Sequence, residues 1–217
     1  NLKFTGNLKY YGEKKSQKKN TNLRKKFKKR EIWCAASTHQ NEELIIGKIH
    51  NNIKLIKKNF LTIIIPRHIN RSNMIINDLK KIGLKTVTRS SSKKINNDTD
   101  IYLVDTYGEA SKFFELSNVT FLGGSLIDHG GQNPLEPARL RNYILHGPNI
   151  NNFKDVYKTL SNLKVSKKIT TSKKLASVII FKRNKNLGDK IKKIGAKILK
   201  ETINDLDKLI KNEFKKT

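Results

Sequence analysis

The stretch that decides the fold runs from Phe121 to Arg139 and reads Phe-Leu-Gly-Gly-Ser-Leu-Ile-Asp-His-Gly-Gly-Gln-Asn-Pro-Leu-Glu-Pro-Ala-Arg. Its apolar start predicts a buried strand, its two glycine pairs predict a loop, and Asn133 followed by Pro134 predicts the start of a helix. Glycine-rich turns let backbone amides approach a ligand, and a helix N-terminus adds unpaired N–H groups and the positive end of a dipole. This combination favours an anion, such as the phosphate of a nucleotide.

Strand-like and helix-like segments alternate on both sides of this stretch. Short apolar runs predict strands over residues 32–36, 61–65, 85–88, 101–104, 119–122, 143–145 and, at an edge, 168–170. Apolar residues at helical spacing predict helices over residues 41–57, 70–82, 106–117, 152–163 and 172–181, and one or two long amphipathic helices over 186–216. This alternation predicts an α/β fold, a Rossmann-like parallel sheet with helices on both faces.

Composition divides the chain into three parts. Residues 1–30 read as a linker and basic segment from a preceding domain, residues 31–185 as a Rossmann-like domain, and residues 186–217 as a C-terminal amphipathic helix. The lysine-rich run up to Arg30 has few residues able to form a core, so we expect an exposed helix or a solvated linker there. Because the sequence begins at Asn1 rather than methionine, we expect a processed chain or part of a longer one.

The chain is strongly basic, with a formal net charge of +28 and a pI near 10.2. Such a charge is typical of proteins that bind nucleic acid or an anionic membrane surface. Lysine far outnumbers arginine throughout, and aromatic residues are not interleaved with the basic ones, so a compositional bias explains the charge equally well. We therefore do not expect nucleic acid to be the main partner.

Cysteine content and hydropathy limit the class of protein further. Cys34 is the single cysteine, so a disulfide or a thiolate metal cluster within this chain is excluded. A reducing compartment is compatible with this cysteine content. No apolar run approaches the roughly 20 residues that a membrane-spanning helix needs.

Polar residues follow four of the predicted strands at the point where each strand ends. They occupy residues 37–39, 66–68, 105–109 and 123–136. The carboxyl ends of parallel strands meet at one edge of a sheet, and ligands bind there at the switch point of the strand order. The sequence therefore predicts a single binding site at this edge.

The charged residues at these strand ends each have a binding role and a structural alternative. Arg67 can pair bidentately with a phosphate, or with a surface carboxylate. The amides of Gly108 and Glu109 can meet a nucleotide, or Glu109 can complete a capping box with Thr106. Glu136 can accept hydrogen bonds from ribose hydroxyls, or it can simply complement the helix dipole.

The remaining polar residues leave similar alternatives open. His68 and His39 are further candidates; His68 can donate to a phosphate or be an ordinary, partly buried histidine. The Gly123-Gly124 pair and Ser125 can line a phosphate or sugar pocket, or pack the strand tightly against its loop. The histidines are scattered without carboxylate spacing, so we predict no metal site and expect no cofactor.

Several ordered motifs carry a resemblance to a known family. They are Ala-Ala-Ser-Thr-His (35–39), Ile-Pro-Arg-His (65–68), Asp-Thr-Tyr-Gly-Glu (105–109), Gly-Gly-Ser-Leu (123–126), Gly-Gly-Gln-Asn-Pro-Leu-Glu-Pro-Ala (130–138) and His-Gly-Pro (146–148). From about Thr5 to Phe153 the chain closely resembles the C-terminal half of the 3-deoxy-D-manno-octulosonic acid (Kdo) transferases. These enzymes move Kdo from CMP-Kdo onto lipid A precursors.

The resemblance implies a GT-B glycosyltransferase, in which two Rossmann-like domains face each other across a cleft and this chain is the donor-binding one. It implies that residues 31–185 are the nucleotide-sugar-binding domain. It implies that CMP contacts Pro66, Arg67, Tyr107, Gly108, Glu109, Asn133, Pro134, Leu135 and Glu136. The further candidates at the same edge are Ser37, Thr38, His39, His68, Gly123, Gly124 and Ser125. The chain departs from the family at Asn41 (usually Gly), Ile69-Asn70 (Pro-Glu), Tyr107 (Met) and Gln132 (His), which puts fine donor geometry in doubt.

The same resemblance implies the partners and the location. We expect a CMP-Kdo donor, a lipid A precursor as acceptor and a missing N-terminal domain that holds the catalytic base. We also expect lipopolysaccharide biosynthesis at the cytoplasmic face of the bacterial inner membrane, with peripheral attachment or an anchor in the missing part. We find no compelling base here, so we expect the chain alone to bind nucleotide weakly without turnover. The alternatives are another GT-B transferase using a UDP-sugar, or a basic nucleic-acid-binding protein.

Overall fold

Seven parallel strands form one sheet in a computed structural model of the chain, which describes residues 7–12, 21–27, 30–170, 179 and 187–213. The strands are β1 (Glu31–Thr38), β2 (Phe60–Pro66), β3 (Thr86–Thr88), β4 (Ile101–Leu103), β5 (Val119–Leu122), β6 (Tyr143–His146) and β7 (Ser166–Lys168). Their order across the sheet is β3-β4-β2-β1-β5-β6-β7, and all neighbours are parallel. The predicted α/β fold is confirmed.

Helices cover both faces of this sheet. They are α1 (Thr21–Lys26), α2 (Glu42–Lys54), α3 (Ser72–Lys81), α4 (Ala110–Leu116), α5 (Leu135–Arg139), α6 (Lys154–Asn162) and α7 (Leu187–Glu213), with 3-10 turns at Leu8–Tyr10, Ile69–Arg71 and Asn151–Phe153. Along β1, Trp33 and Ala35 pack in the core with residues of α2 and α3. Cys34 and Ala36 point to the other face, into the core that α4, α5, α6 and α7 share. Because both faces are buried, the central strands read as nearly continuous apolar runs.

The strand order reverses direction between β1 and β5. From β1 the chain builds through β2 towards the edge at β3, and it later returns to place β5 on the other side of β1. Connections that leave neighbouring strands in opposite directions open a crevice at the carboxyl ends of those strands. At the end of β1 the pairing with β2 is irregular and Ser37 has a φ of 53°. The chain therefore turns sharply where the crevice begins.

The basic N-terminal run is partly built into the core. Leu23 and Phe27 are buried, and Arg30 is buried with its guanidinium donating to the carbonyls of Thr99, at 2.6 Å, and of Phe60. The expected helix is present at Thr21–Lys26, with Arg24 and Lys25 exposed, but the expectation of an exposed segment is wrong at Leu23, Phe27 and Arg30. Two apolar side chains at helical spacing are enough to dock a short basic helix on the core. Residues 1–6, 13–20 and 28–29 of this run lie outside the described residues.

Some predicted boundaries are wrong by a few residues. Helix α4 begins at Ala110, and Thr106 does not cap it, since the Thr106 hydroxyl donates to the Glu109 carboxylate at 2.6 Å. Helix α5 begins at Leu135, so Pro134 lies one position before the helix rather than inside it. The edge strand β7 covers Ser166–Lys168, two residues earlier than predicted. The helix predicted over residues 172–181 falls outside the described part except for residue 179.

Helix α7 packs on the domain through two glycines. A Cβ atom on Gly188 would lie 2.6 Å from the carbonyl oxygen of Arg139, and one on Gly195 would lie 2.4 Å from that of Tyr10. These close approaches seat α7 on α5 and on the Leu8–Tyr10 turn, and they bury Ile191 completely. Further along, the helix exposes Ile203, Leu206, Leu209 and Ile210. None of the described helices has both the length and the apolar character to cross a membrane.

Candidate functional site

The ends of β1, β2 and β5 lie side by side at one edge of the sheet. The backbone N–H of Arg67 donates to the carbonyl of Thr38 at 2.9 Å, and the N–H of Gly123 donates to the carbonyl of Ala36 at 2.9 Å. Strand β4 pairs with β2, so its exit follows at the same edge. The polar segments after four strands are therefore brought together, as the sequence predicts.

The loop after β5 binds a carboxylate of the protein itself. Glu42, fully buried in the first turn of α2, accepts hydrogen bonds from the N–H groups of Gly124 (2.8 Å), Ser125 (3.2 Å) and Leu126 (3.0 Å). It also accepts the N–H of His39 at 2.9 Å. Burial raises the pKa of Glu42, and these amide donors oppose the rise. The amides of Gly123 and Gly124, which were expected to line a phosphate or sugar pocket, are thus occupied within the fold by the Ala36 carbonyl and the Glu42 carboxylate.

Tight packing explains the glycine pair and Ser125. A Cβ atom on Gly123 would lie 2.3 Å from the carbonyl oxygen of Ser37, so only glycine fits between the two strand ends. Ser125 is fully buried, and its hydroxyl donates to the carbonyl of Leu122 and accepts the N–H of Gly147 at 2.8 Å. The packing alternative is the one that these contacts support, because the Ser125 hydroxyl is used within the fold.

Glu109 is also neutralised inside the protein. Its two carboxylate oxygens accept hydrogen bonds from Nε and Nη2 of Arg89, both at 2.9 Å, and from Lys112 at 2.8 Å. The hydrogen bond from Arg89 is the main reason that the pKa of Glu109 is lowered to about 2. A ligand at this strand end therefore meets the backbone at Gly108, which has a φ of 76°, and the ring of Tyr107, which is 73% exposed.

Two arginines near the end of β2 have different surroundings. Arg71 forms a bidentate pair with Glu43, with Nη1–Oε1 and Nη2–Oε2 distances of 3.0 Å. The side chain of Arg67 is exposed, and across residues 30–170 its guanidinium has no hydrogen-bond or ion-pair partner. The alternative in which Arg67 pairs with a surface carboxylate is not observed there. Its guanidinium is available to an anion.

The start of α5 presents a carboxylate to solvent. The side-chain oxygen of Asn133 accepts the N–H of Leu135 at 3.0 Å, which fixes the start of the helix. Pro134 and Leu135 are buried, whereas Glu136 is exposed. Among the described residues, no hydrogen-bond or ion-pair partner of the Glu136 carboxylate is found. This leaves it able to accept hydrogen bonds from ligand hydroxyls, as a ribose contact requires.

Three histidines gather at the same edge. The ring centroid of His39, after β1, lies 4.1 Å from that of His129, in the β5 loop, and 6.1 Å from that of His68, after β2. Thr38 beside them is fully buried, and its hydroxyl has no partner within the described ranges. The sequence did not predict His129 or Glu42 as site residues. Their only signal was proximity to a predicted strand end, which many other residues share.

Comparisons with known proteins agree on one family. The chain is 36% identical over 162 residues to the 3-deoxy-D-manno-octulosonic acid transferase of Haemophilus influenzae, a match that covers 73% of this chain and 38% of that protein. It is 32% identical over 207 residues to the Rickettsia prowazekii protein of the same name, covering 94% of this chain and 45% of that protein. The chain thus spans less than half the length of these curated relatives. No protein-family model matches it.

Solved structures give the same answer for the fold. The C-terminal CMP-Kdo binding domain of WaaA from Acinetobacter baumannii matches with a TM-score of 0.69 and 25% identity, over 83% of this chain and 94% of that one. Trehalose-6-phosphate synthase OtsA matches with a TM-score of 0.53 at 11% identity and shares the fold alone, over 92% of this chain and 46% of that one. Over most of its length the chain is therefore similar to the C-terminal part of 3-deoxy-D-manno-octulosonic acid transferases, and it has the fold of the C-terminal half of a GT-B glycosyltransferase.

Proposed function

We propose that this chain binds CMP-Kdo and is the donor-binding part of an enzyme that transfers Kdo to a lipid A precursor in lipopolysaccharide biosynthesis. The observation that carries the proposal is the distribution of paired and unpaired charges at the strand ends. Glu42, Glu43 and Glu109 are engaged within the protein, whereas Arg67 and Glu136 are exposed. An exposed cation and an exposed carboxylate on the same edge fit the phosphate and the ribose of a nucleotide.

The binding mode follows from these groups. Arg67, held at the strand end by Pro66, pairs with the phosphate of the donor. Glu136 accepts hydrogen bonds from the ribose hydroxyls, and Tyr107 packs against the cytosine ring. The backbone of Gly108–Glu109 and of Asn133–Leu135 forms the walls between these contacts.

Transfer of Kdo needs two chemical contributions. Negative charge that develops on the departing CMP phosphate must be stabilised, and a base must remove the proton from the acceptor hydroxyl. In our proposal Arg67 makes the first contribution. Glu136 is committed to the ribose and Glu109 to Arg89, so we place the base outside this stretch, in the additional length that the curated relatives have. The chain alone should bind the donor without turning it over.

A lipid acceptor places the reaction at a membrane surface. We propose that the protein works at the cytoplasmic face of the inner membrane, where its net charge of +28 favours anionic lipids. Each basic residue near such a surface contributes about 1 kcal/mol. Co-sedimentation with vesicles should therefore rise when anionic lipid is included. Equal sedimentation with neutral and anionic vesicles would refute this part of the proposal.

Calorimetric titration with CMP, UMP and UDP tests the donor specificity. We expect CMP to bind more tightly than UMP or UDP, and Arg67→Ala to weaken CMP binding by about tenfold or more, as loss of a charge-assisted hydrogen bond does. Lys80→Ala is a matched control, because it removes one exposed positive charge from the far end of α3. Equal affinity for the three nucleotides, or no CMP binding, would contradict the proposal. A preference for UDP would favour a UDP-sugar transferase instead.

A further inference from the structure

We propose that His39, His68 and His129 form a pocket for the carboxylate of the donor sugar, next to the phosphate bound at Arg67. This inference rests on the proposed function, because it assumes that the donor is the nucleotide ester of a sugar acid. In a 2-ulosonic acid the carboxyl group is attached to the anomeric carbon, which also carries the phosphate ester oxygen. The carboxylate must therefore lie beside the phosphate, and His68 is the residue that follows Arg67.

The geometry of the three rings suits a small planar anion. They follow three different strand ends, and the ring centroid of His39 lies 4.1 Å from that of His129 and 6.1 Å from that of His68. His39 is 9% exposed, whereas His68 and His129 are open to solvent. His39 therefore forms the buried part of the cluster, and His68 and His129 form its solvent-accessible part.

Gly124 leaves room for this arrangement. A Cβ atom at position 124 would lie 3.1 Å from Cδ2 of His129 and 3.3 Å from Cδ2 of His39. Gln132 also contacts His39, with 3.5 Å between their Nε2 atoms, so that the amide can donate to a neutral imidazole. The other ring nitrogen of His39 is then the N–H donor. The rings are thus held near one another by the loop that follows β5.

The charges that act on the His39 ring come from cationic side chains, of which Arg71 is paired with Glu43. Burial, followed by the charges of His129, His68, Arg71 and Arg67, lowers the pKa of His39 to about 4. Three acidic groups lie nearby. Glu42 binds backbone amides, Glu43 pairs with Arg71, and Asp128 is an exposed neighbour of His129 in sequence.

A carboxylate fits these charges better than the other ligands that histidines bind. No set of His, Cys, Asp and Glu side chains within the described ranges is arranged to hold a metal ion. The donor phosphate already has Arg67. A singly charged group would complement the positive potential at His39 and accept the free N–H donors of the rings.

The test compares CMP with CMP-Kdo by calorimetric titration of the chain and its variants. We expect CMP-Kdo to bind about tenfold more tightly than CMP, and the double variant His68→Ala/His129→Ala to lose this advantage while it binds CMP normally. Both substituted side chains are exposed, so the fold should be unaffected. His39→Gln should lose the same advantage, and Lys80→Ala should keep it.

A proton-linkage measurement gives an independent readout. A carboxylate beside His39 raises the pKa of that imidazole, so binding of CMP-Kdo should take up more protons than binding of CMP. Its advantage over CMP should therefore grow as the pH falls through the raised pKa of His39 in the complex towards the pKa of about 4 in the free protein. If the histidine variants weaken CMP and CMP-Kdo equally, or if CMP-Kdo has no advantage, the carboxylate pocket is wrong while nucleotide binding stands. If neither compound binds, the proposed function itself is overturned.

Discussion

The carboxylate of Glu42 accepts the backbone N–H of Gly124 at 2.8 Å, and this contact joins the start of α2 to the loop after β5. The two residues lie on opposite sides of the strand-order reversal between β1 and β5. Because Glu42 takes the place that an external anion would occupy on the loop amides, the loop keeps its shape without a ligand. The crevice beside it is therefore organised before any ligand binds.

Glu42→Gln should destabilise the protein strongly although the two side chains have the same shape. Each carboxylate oxygen of Glu42 accepts two backbone N–H groups, so the amide –NH₂ of glutamine would face two donors with nothing to accept them. We expect the free energy of unfolding to fall by about 2–4 kcal/mol in urea denaturation. Glu136→Gln, at an exposed carboxylate, should change it by less than about 0.5 kcal/mol. Equal stability of both variants would show that the Glu42 contacts contribute little.

Acid should weaken the contribution of Glu109 to stability. The pKa of Glu109 is lowered to about 2, mainly by its hydrogen bond with Arg89, so its stabilising effect is complete above the ordinary glutamate pKa and is lost as the pH falls towards 2. Glu109→Gln should therefore cost about 2 kcal/mol at pH 7 and little near pH 2. Urea denaturation of both proteins over this pH range measures the difference. A cost that does not change with pH would mean that the effect of Glu109 is not ionic.

Much of the fold could be predicted from the sequence because burial leaves a local record. Strands such as β2, covered on both faces, appear as short apolar runs, and the polar residues after them mark the carboxyl edge of the sheet. Charge pairing leaves no such record. Some partners of Glu42 and Glu109 are distant in sequence, and only the folded chain brings Gly124 to the first and Arg89 to the second. The sequence therefore predicts which residues meet at the site, but not which of them remain free.

Two glycine substitutions should separate steric clash from backbone strain. Gly123→Ala would place Cβ 2.3 Å from the carbonyl oxygen of Ser37, so backbone atoms must move. We expect a loss of about 3 kcal/mol or more in the free energy of unfolding. Gly83→Ala has open space around it and only the strain of a φ of 81°, so it should cost about 1–2 kcal/mol. Equal losses in urea denaturation would show that the strand ends can separate without penalty.

Tyr107→Ala should weaken nucleotide binding without affecting the fold. Tyr107 is 73% exposed at the end of β4, so its ring contributes little to the packing of the core. If it packs against the cytosine base, its removal should weaken CMP binding by about 1–2 kcal/mol, or roughly five- to thirtyfold, in calorimetric titration. Tyr107→Phe keeps the ring and should retain most of the affinity, whereas the free energy of unfolding should stay within about 0.5 kcal/mol for both variants. Unchanged CMP affinity in Tyr107→Ala would show that the cytosine ring binds elsewhere on this edge and that Tyr107 has no role in donor binding.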